Sequence, residues 1–293
     1  MRIVSLLPSA TEILFGIGAG SDVAGITHEC DYPPEAQSLP RLTASALPQA
    51  ARASEIDRHV RKALHQGSSL YSLDSDLLEQ LAPDLIVTQE LCEVCAVSYS
   101  IVDRAVRRLN SDARIVSLEP SSLEDVYAMI LTLGELTDRV EGARDLVQTL
   151  GARETAVREK VTREKARSSI EPRTLVLEWT DPPMSAGHWT PGLVEAAGGI
   201  CVLGNPGRNS QTLTWDAIAQ ADPDAIIVAP CGFDLAATER AIGELGNVPV
   251  WNALRAVRGN RVYAVDGNAY VNRPGPRLVD TIEIFYELLH PAG

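Results

Sequence analysis

The sequence predicts an α/β protein of two Rossmann-like lobes with parallel-rich sheets, joined by a long backbone helix. Three observations carry that expectation. A strand–loop–helix–Gly–strand series opens the chain and recurs near residue 175. A helix–Pro–Asp–strand series occurs once in each half, after the first series both times. Between the halves runs a long stretch of helical periodicity, with neither Gly nor Pro over residues 152–167. Series that recur in the same order argue for two domains of like construction.

In the first lobe Arg2-Ile3-Val4-Ser5-Leu6-Leu7 reads as a strand that Pro8-Ser9 breaks. Ser9-Ala10-Thr11-Glu12 then has capping-box spacing, which predicts a helix start with Ser9 as the cap. That helix ends in Gly16-Ile17-Gly18-Ala19-Gly20, and a second strand follows near 22–26. In the second lobe Leu175-Val176-Leu177-Glu178 is the strand. Thr190-Pro191-Gly192 starts a helix with a capping hydroxyl and Pro at its first position. The helix stops at Gly198-Gly199, before the strand Ile200-Cys201-Val202-Leu203.

The second echo is tighter. From Asp76 the chain runs through Leu81-Ala82-Pro83-Asp84 into the buried strand Leu85-Ile86-Val87. From Asp216 it runs through Ala221-Asp222-Pro223-Asp224 into Ala225-Ile226-Ile227-Val228. The interval between the two Asp residues is 8 in both. Between the lobes, Ser121 and Ser122 can cap a helix whose apolar positions include Val126, Met129, Ile130, Leu133 and Leu136. The pattern continues through Ala143, Leu146, Val147 and Leu150 until Glu171-Pro172 ends it. A stiff helix there would limit how far the lobes swing. The expected boundaries are an N-terminal lobe over 1–120, a helical backbone over 121–170 and a C-terminal lobe over 171–293.

A chain of 293 residues supports two domains with separate cores. Its 26 Lys and Arg against 39 Asp and Glu leave a net charge of −13. That balance, without a basic cluster, argues against nucleic acid and anionic membrane surfaces as partners. No run of about 18 apolar residues predicts membrane insertion. The opening residues read directly as a strand with no leader before them, which predicts a cytoplasmic protein, or a periplasmic or extracellular one if a leader has been removed. Five cysteines leave at least one unpaired and lean towards a reducing compartment.

Several segments resemble one family. They are Ile3-Val4-Ser5-Leu6-Leu7-Pro8-Ser9-Ala10-Thr11-Glu12, Asp31-Tyr32-Pro33-Pro34, Leu81-Ala82-Pro83-Asp84-Leu85-Ile86-Val87 and Asn272-Arg273-Pro274-Gly275-Pro276-Arg277. Together they resemble the ABC-transporter solute-binding proteins for cobalamin, iron–siderophores and haem. Asp31-Tyr32-Pro33-Pro34 brings the cobalamin-binding branch nearest. The resemblance implies a monomeric binding protein, not an enzyme, with a small-molecule ligand, an ABC permease as partner and no required cofactor. It places the ligand, a corrinoid such as cobalamin first of all, in a cleft between the lobes. The loops that would line it are 8–11, 27–32, 89–98, 179–189, 230–233 and 268–273. Ser9, Thr11 and Gln89 enter the candidate site on that ground. Asp76 and Asp216 fall where the family presents acidic residues to a permease, as Asp in place of the usual Glu.

Within those loops the residue types suggest chemistry of their own. Tyr32, Trp179, Trp189, Phe233 and Tyr270 offer flat apolar faces suited to a large planar ligand, although any of them can equally pack the lobe interface. Arg273 can reach a carboxylate, amide or phosphate, or form a surface ion pair. Glu178 and Asp181, flanking Trp179, can accept from ligand amides or cap a turn. His28-Glu29-Cys30, Cys92-Glu93-Val94-Cys95, His188 and Cys231 gather sulfur and imidazole. A Cys-x-x-Cys pair suits zinc or iron but needs two further ligands, which His28 or Cys30 would supply. The same pair can be a redox couple or simply line a cleft. His28 and His188 can also ligate the metal of a bound tetrapyrrole or corrinoid.

Enzymatic readings find less support. There is no Gly-x-x-x-x-Gly-Lys-Ser/Thr loop and no Gly-x-Ser-x-Gly elbow. Gly16-x-Gly18-x-Gly20 ends a helix where a dinucleotide loop would begin one. A metal- or thiol-dependent enzyme using His28, Cys92, Cys95 and His188 stays open, as does a carrier or sensor that works without a permease.

Overall fold

The computed structural model describes residues 1–46, 52–65, 70–89, 99–108, 112–167 and 171–291. The chain divides into two compact units. The first holds residues 1–49, 58–119 and 125–148, and the second holds 50–57, 120–124 and 149–293.

The first unit contains β1 (Ile3–Ser5), α1 (Pro8–Gly16), β2 (Val23–Ile26), β3 (Thr43–Ser45), most of α2 (Ala53–His65), β4 (Tyr71–Leu73), α3 (Ser75–Leu81), β5 (Leu85–Thr88), α4 (Tyr99–Arg108) and β6 (Arg114–Ser117). It also takes most of α5 (Leu123–Leu136) and the start of α6 (Val140–Arg167). Its main sheet runs β2-β1-β5-β6 and is parallel throughout. β1 and β5 are buried at every position. That is why they read as continuous apolar runs without alternation, as central parallel strands do. Val4, Leu6, Leu42, Leu78, Ile86 and Val102 form the core around them. Gly142 on α6 lies so close to the end of α1 that a Cβ there would sit 2.3 Å from the Ile17 carbonyl oxygen.

The second unit continues with β7 (Arg173–Thr180), β8 (Pro183–Ser185), β9 (Gly187–His188), α7 (Thr190–Ala196), β10 (Ile200–Cys201), β11 (Asn205–Pro206), α8 (Trp215–Ala221) and β12 (Ala225–Val228). α9 (Leu235–Leu245), α10 (Pro249–Ala253), α11 (Arg255–Arg258), β13 (Val262–Ala264), a π-helical turn over Gly267–Val271 and α12 (Leu278–Leu289) complete it. The sheet runs β10-β7-β12-β13, parallel, with β8 antiparallel to β7. In both units the order along these four strands is second, first, third, fourth, so the repeat read from the sequence is a repeat of topology. Leu175, Leu177, Ile218, Ile226, Val228 and Trp251 centre the second core. Trp215 meets Trp251 edge-on at 6.3 Å, as expected of packing residues.

Two caps differ from expectation. α1 begins at Pro8, with Leu7 as its cap and no side-chain capping bond. Proline has no N–H to satisfy and its φ is already helical, so the helix starts there. Ser9 is thereby moved inside the first turn, and its hydroxyl finds no partner among the described residues. Likewise Trp189, not Thr190, caps α7. Arg273 lies between the π-helical turn and α12, which starts only at Leu278.

Candidate functional site

In open parallel sheets, side chains that meet a ligand gather at the carboxyl ends of the strands. In the second unit that edge is built around an irregularity in β7. The register with β8 shifts between Leu177 and Trp179, so Glu178 sits at a bulge. A bulge re-aims the side chain it carries. Here the Glu178 carboxylate turns to the neighbouring loop. Oε1 accepts from the Gly187 N–H at 3.2 Å and Oε2 accepts a very short bond from the Ser210 hydroxyl. The Thr190 hydroxyl faces the same carboxylate without making a bond of normal geometry. Burial pushes the Glu178 carboxyl above the usual carboxylate range, against the lowering effect of those donors. The nearby Cys201 thiol is pushed up to about 12, by burial first and then by the Glu195 and Glu178 carboxylates.

The loop that Glu178 grips carries His188 and Trp189. His188 has φ +46°, in the left-handed region that costs a non-glycine residue energy. Its backbone is fixed by bonds to Arg208 O (2.7 Å) and from Gly207 N–H (2.9 Å). Its ring stacks on Trp189 at 5.4 Å and 25°, and its buried Nδ1 has no partner among the described residues. Burial holds the ring below the ordinary histidine pKa. Trp189 Nε1 donates to Val271 O at 2.8 Å, so the indole is held by its polar edge. Both residues line a cavity of about 280 Å³ with Ser121, Arg158, Glu195 and Gly207. That is below the usual range for a drug-sized ligand and admits only part of a corrinoid or haem.

The other expected residues of this unit fall into two groups. Trp179 and Phe233 pack edge-to-face at 5.4 Å, with Ala53 and Ile56 against them. They are a small apolar cluster, and Trp179 Nε1 is spent on Asp181 O. Tyr270 lies on the π-helical turn with the Arg277 guanidinium 5.6 Å from its ring centre. Arg273 is only 6% exposed, and its guanidinium donates to Asn268 Oδ1 at 3.0 Å. Cys231 is exposed, and its N–H donates to Glu178 O.

In the first unit Thr11 is buried at the start of α1. Its hydroxyl donates to Ser5 Oγ at 2.8 Å and lies 3.1 Å from Cys30 Sγ, which is fully buried. His28 has Nδ1 2.6 Å from Thr43 Oγ1 and Nε2 3.1 Å from Glu29 Oε1, and its ring tilts on Tyr71 at 5.4 Å. Tyr32 is 45% exposed, whereas Gln89 and Ser9 are buried. Cys92 and Cys95, with most of the 89–98 loop, lie outside the described residues. Among the described residues no group of three or more His, Cys, Asp or Glu side chains is placed to hold a metal ion. Asp76 and Asp216 are exposed in the first turns of α3 and α8. Gly187 and Ser210 were not legible as site residues, because a polar Gly/Asn/Ser loop carries no signal of what it holds.

Residues 3–269 match the periplasmic binding protein family. The chain is 26% identical over 296 residues to YvrC of Bacillus subtilis, an uncharacterised ABC transporter substrate-binding lipoprotein, covering 99% of this chain and 80% of that one. It is 23% identical to the vitamin B12-binding protein of Vibrio cholerae serotype O1, over 96% of this chain and 86% of that one. Among solved structures, a periplasmic heme binding protein from Pseudomonas aeruginosa superposes with a TM-score of 0.74 at 19% identity, over 100% of this chain and 93% of that one. At that identity the likeness is one of fold. Among the described residues no helix is long and apolar enough to cross a membrane.

Proposed function

The chain belongs to the periplasmic binding protein family, and from that premise we propose that it holds a corrinoid, cobalamin first among them, on the loops at the carboxyl ends of its parallel strands. At the coarser level it is a solute-binding component of an ABC-type uptake system, with a small-molecule ligand and a permease as partner, and not an enzyme. The observation that supports cobalamin is the likeness to a vitamin B12-binding protein along 96% of the chain. Trp189 and Tyr270, both only half-buried, offer faces suited to a planar ring system. Exposed Asp76 and Asp216, each in the first turn of a matching helix, are the docking carboxylates for the permease. The lipoprotein relative favours a place outside the cytoplasmic membrane.

A second ligand, haem, is favoured by one feature. The unpartnered Nδ1 of His188, on a ring that burial favours in its neutral form, suits the iron of a tetrapyrrole better than a corrinoid cobalt whose axial positions are already filled. Titrating the purified protein with cyanocobalamin, dicyanocobinamide and haemin, followed by visible absorbance and heat release, separates the two. Stoichiometric corrinoid binding with no saturable haemin binding is the expected result. Saturable haemin binding with a spectral shift lost in His188→Ala replaces cobalamin by haem. No binding of any of the three overturns both.

A further inference from the structure

We infer that Glu178 is a positioning residue: from the β7 bulge its carboxylate ties Gly187 to Ser210 and so sets the left-handed turn that presents His188 and Trp189. This rests on the proposed function only in taking His188 and Trp189 as ligand-facing. The geometry ties the Glu178 carboxylate to its own unit, whatever lone pairs remain. Both carboxylate oxygens are engaged within the unit, one by the Gly187 N–H and one by the Ser210 hydroxyl. The chain register shifts at this one residue of β7, which is what lets its side chain reach the loop.

The loop is also held by backbone bonds, from the Ala186 N–H to Val176 O at 3.1 Å and from the Asn205 N–H to Ala186 O at 2.9 Å, and at Gly187 itself the N–H is accepted by the Glu178 carboxylate. Gly187 approaches the 208–210 backbone so closely that a Cβ would lie 2.5 Å from Ser210 N and 2.7 Å from Arg208 O. The next residue, His188, must then adopt φ +46°. A strained conformation persists only where its surroundings over-determine it. Two backbone bonds at His188 supply part of that, and Glu178 supplies the clamp at both flanks, through the residue before His188 and through Ser210 in the segment that follows β11. Leaving a buried Gly187 N–H without its acceptor releases the turn.

The test uses the full chain with Glu178→Ala, Glu178→Gln and Ser210→Ala. Amide exchange over residues 186–190 is measured without ligand, with β12 as the internal reference for global stability. Dicyanocobinamide affinity is measured in parallel. Loss of the Glu178 acceptor should speed the Gly187 and His188 amides by about tenfold or more in Glu178→Ala and weaken cobinamide by a similar factor. Glu178→Gln, whose amide oxygen still accepts from Gly187, should stay within about threefold of wild type on both. A purely structural carboxylate would change β12 and the 186–190 loop together, and Gln would not restore the loop selectively. Unchanged loop exchange in Glu178→Ala, or equal loss in Glu178→Gln, overturns the assignment. If Glu178→Ala does not fold, Ser210→Ala decides: faster loop exchange supports the clamp and unchanged exchange overturns it. Should the wild type bind no cobinamide, the ligand reading fails while the exchange data still judge Glu178.

Discussion

Asp84 and Arg2 hold each other through two bonds: Asp84 Oδ2 accepts from the Arg2 N–H at 2.7 Å, and the Asp84 N–H donates to Arg2 O at 2.8 Å. Asp224 and Arg173 repeat the pair at 2.9 and 2.7 Å. In each unit the Asp follows a Pro, after a helix that ends on a left-handed residue, Ala82 (φ 41°) or Asp222 (φ 37°). It ties the start of the third strand of the sheet to the start of the first. Asp84→Ala and Asp224→Ala should each destabilise the protein by about 1 kcal/mol, and Asn at either place should cost less because its amide oxygen still accepts. Urea unfolding of the four variants checks this. Equal midpoints for Ala and Asn would deny the clasp any role.

That pair also shows what the sequence discloses. The Pro-Asp echo was visible because the two units solve the same problem with the same residues at the same interval. The sheets were visible because strands buried on both faces are mostly apolar, with polar residues such as Ser5 and Thr88 only at their ends. The site was less legible. Trp179 and Phe233 look like ligand contacts by type and place, and they also pack on each other and against Ala53 and Ile56. Residue type cannot distinguish an aromatic that faces ligand from one that packs. Nor could it foresee the caps, since Ser9 and Thr190 have capping chemistry but Pro8 and Trp189 set where the helices begin. The bulge at Glu178 depends on strand register, which no local pattern records.

Glu178 makes stability depend on pH in a definite direction. Its folded pKa is raised above the unfolded value by burial. The native state therefore holds the proton more tightly, and the stability this contributes is full below the ordinary carboxylate range and lost as pH rises through the raised value. Glu178→Gln should flatten that decline. Melting temperatures of both proteins, taken upward from the ordinary carboxylate range, should diverge with the variant on top. Parallel curves would show that Glu178 is ionised at no cost.

His188 acts with the opposite sign. Burial lowers its folded pKa, so its contribution is present above the ordinary histidine value and is lost as pH falls through the folded one. His188→Gln should remove that acid-side loss and leave the alkaline side unchanged. Subtracting the His188→Gln melting curve from that of wild type, from neutral pH downward, isolates the effect. A difference that does not change with pH would place the titrating group elsewhere.

Gly187, next to His188, and Gly192, which lines the cavity, differ in what a methyl group would meet. At Gly187 all three of the nearest atoms are backbone atoms of residues 208–210, the closest at 2.5 Å, so that backbone must move. At Gly192, on α7, nothing lies within 4 Å. Gly187→Ala should cost about 1–3 kcal/mol, as overpacking does. Gly192→Ala should be neutral or stabilising by up to about 1 kcal/mol, because alanine suits a helix better. Thermal unfolding of the pair provides the measurement, and a tolerant Gly187→Ala would mean the 208–210 backbone is looser than its hydrogen bonds suggest.

Trp189 offers the last discrimination, between a face that binds ligand and a side chain that only anchors its loop. The indole does both jobs with different atoms: Nε1 is tied to Val271 O, and the ring stacks with His188 at the cavity. Trp189→Phe keeps an aromatic face and loses the tether. Trp189→Ala loses both. If the face carries the binding, cobinamide affinity should fall by about tenfold or more in Ala, of the order a buried aromatic contact is worth, and only a few-fold in Phe. If the tether carries it, the two variants should weaken binding alike, and loop exchange over residues 186–190 should rise equally in both. Affinity unchanged in Trp189→Ala would remove this wall from the site altogether and leave the ligand to the residues around Tyr270.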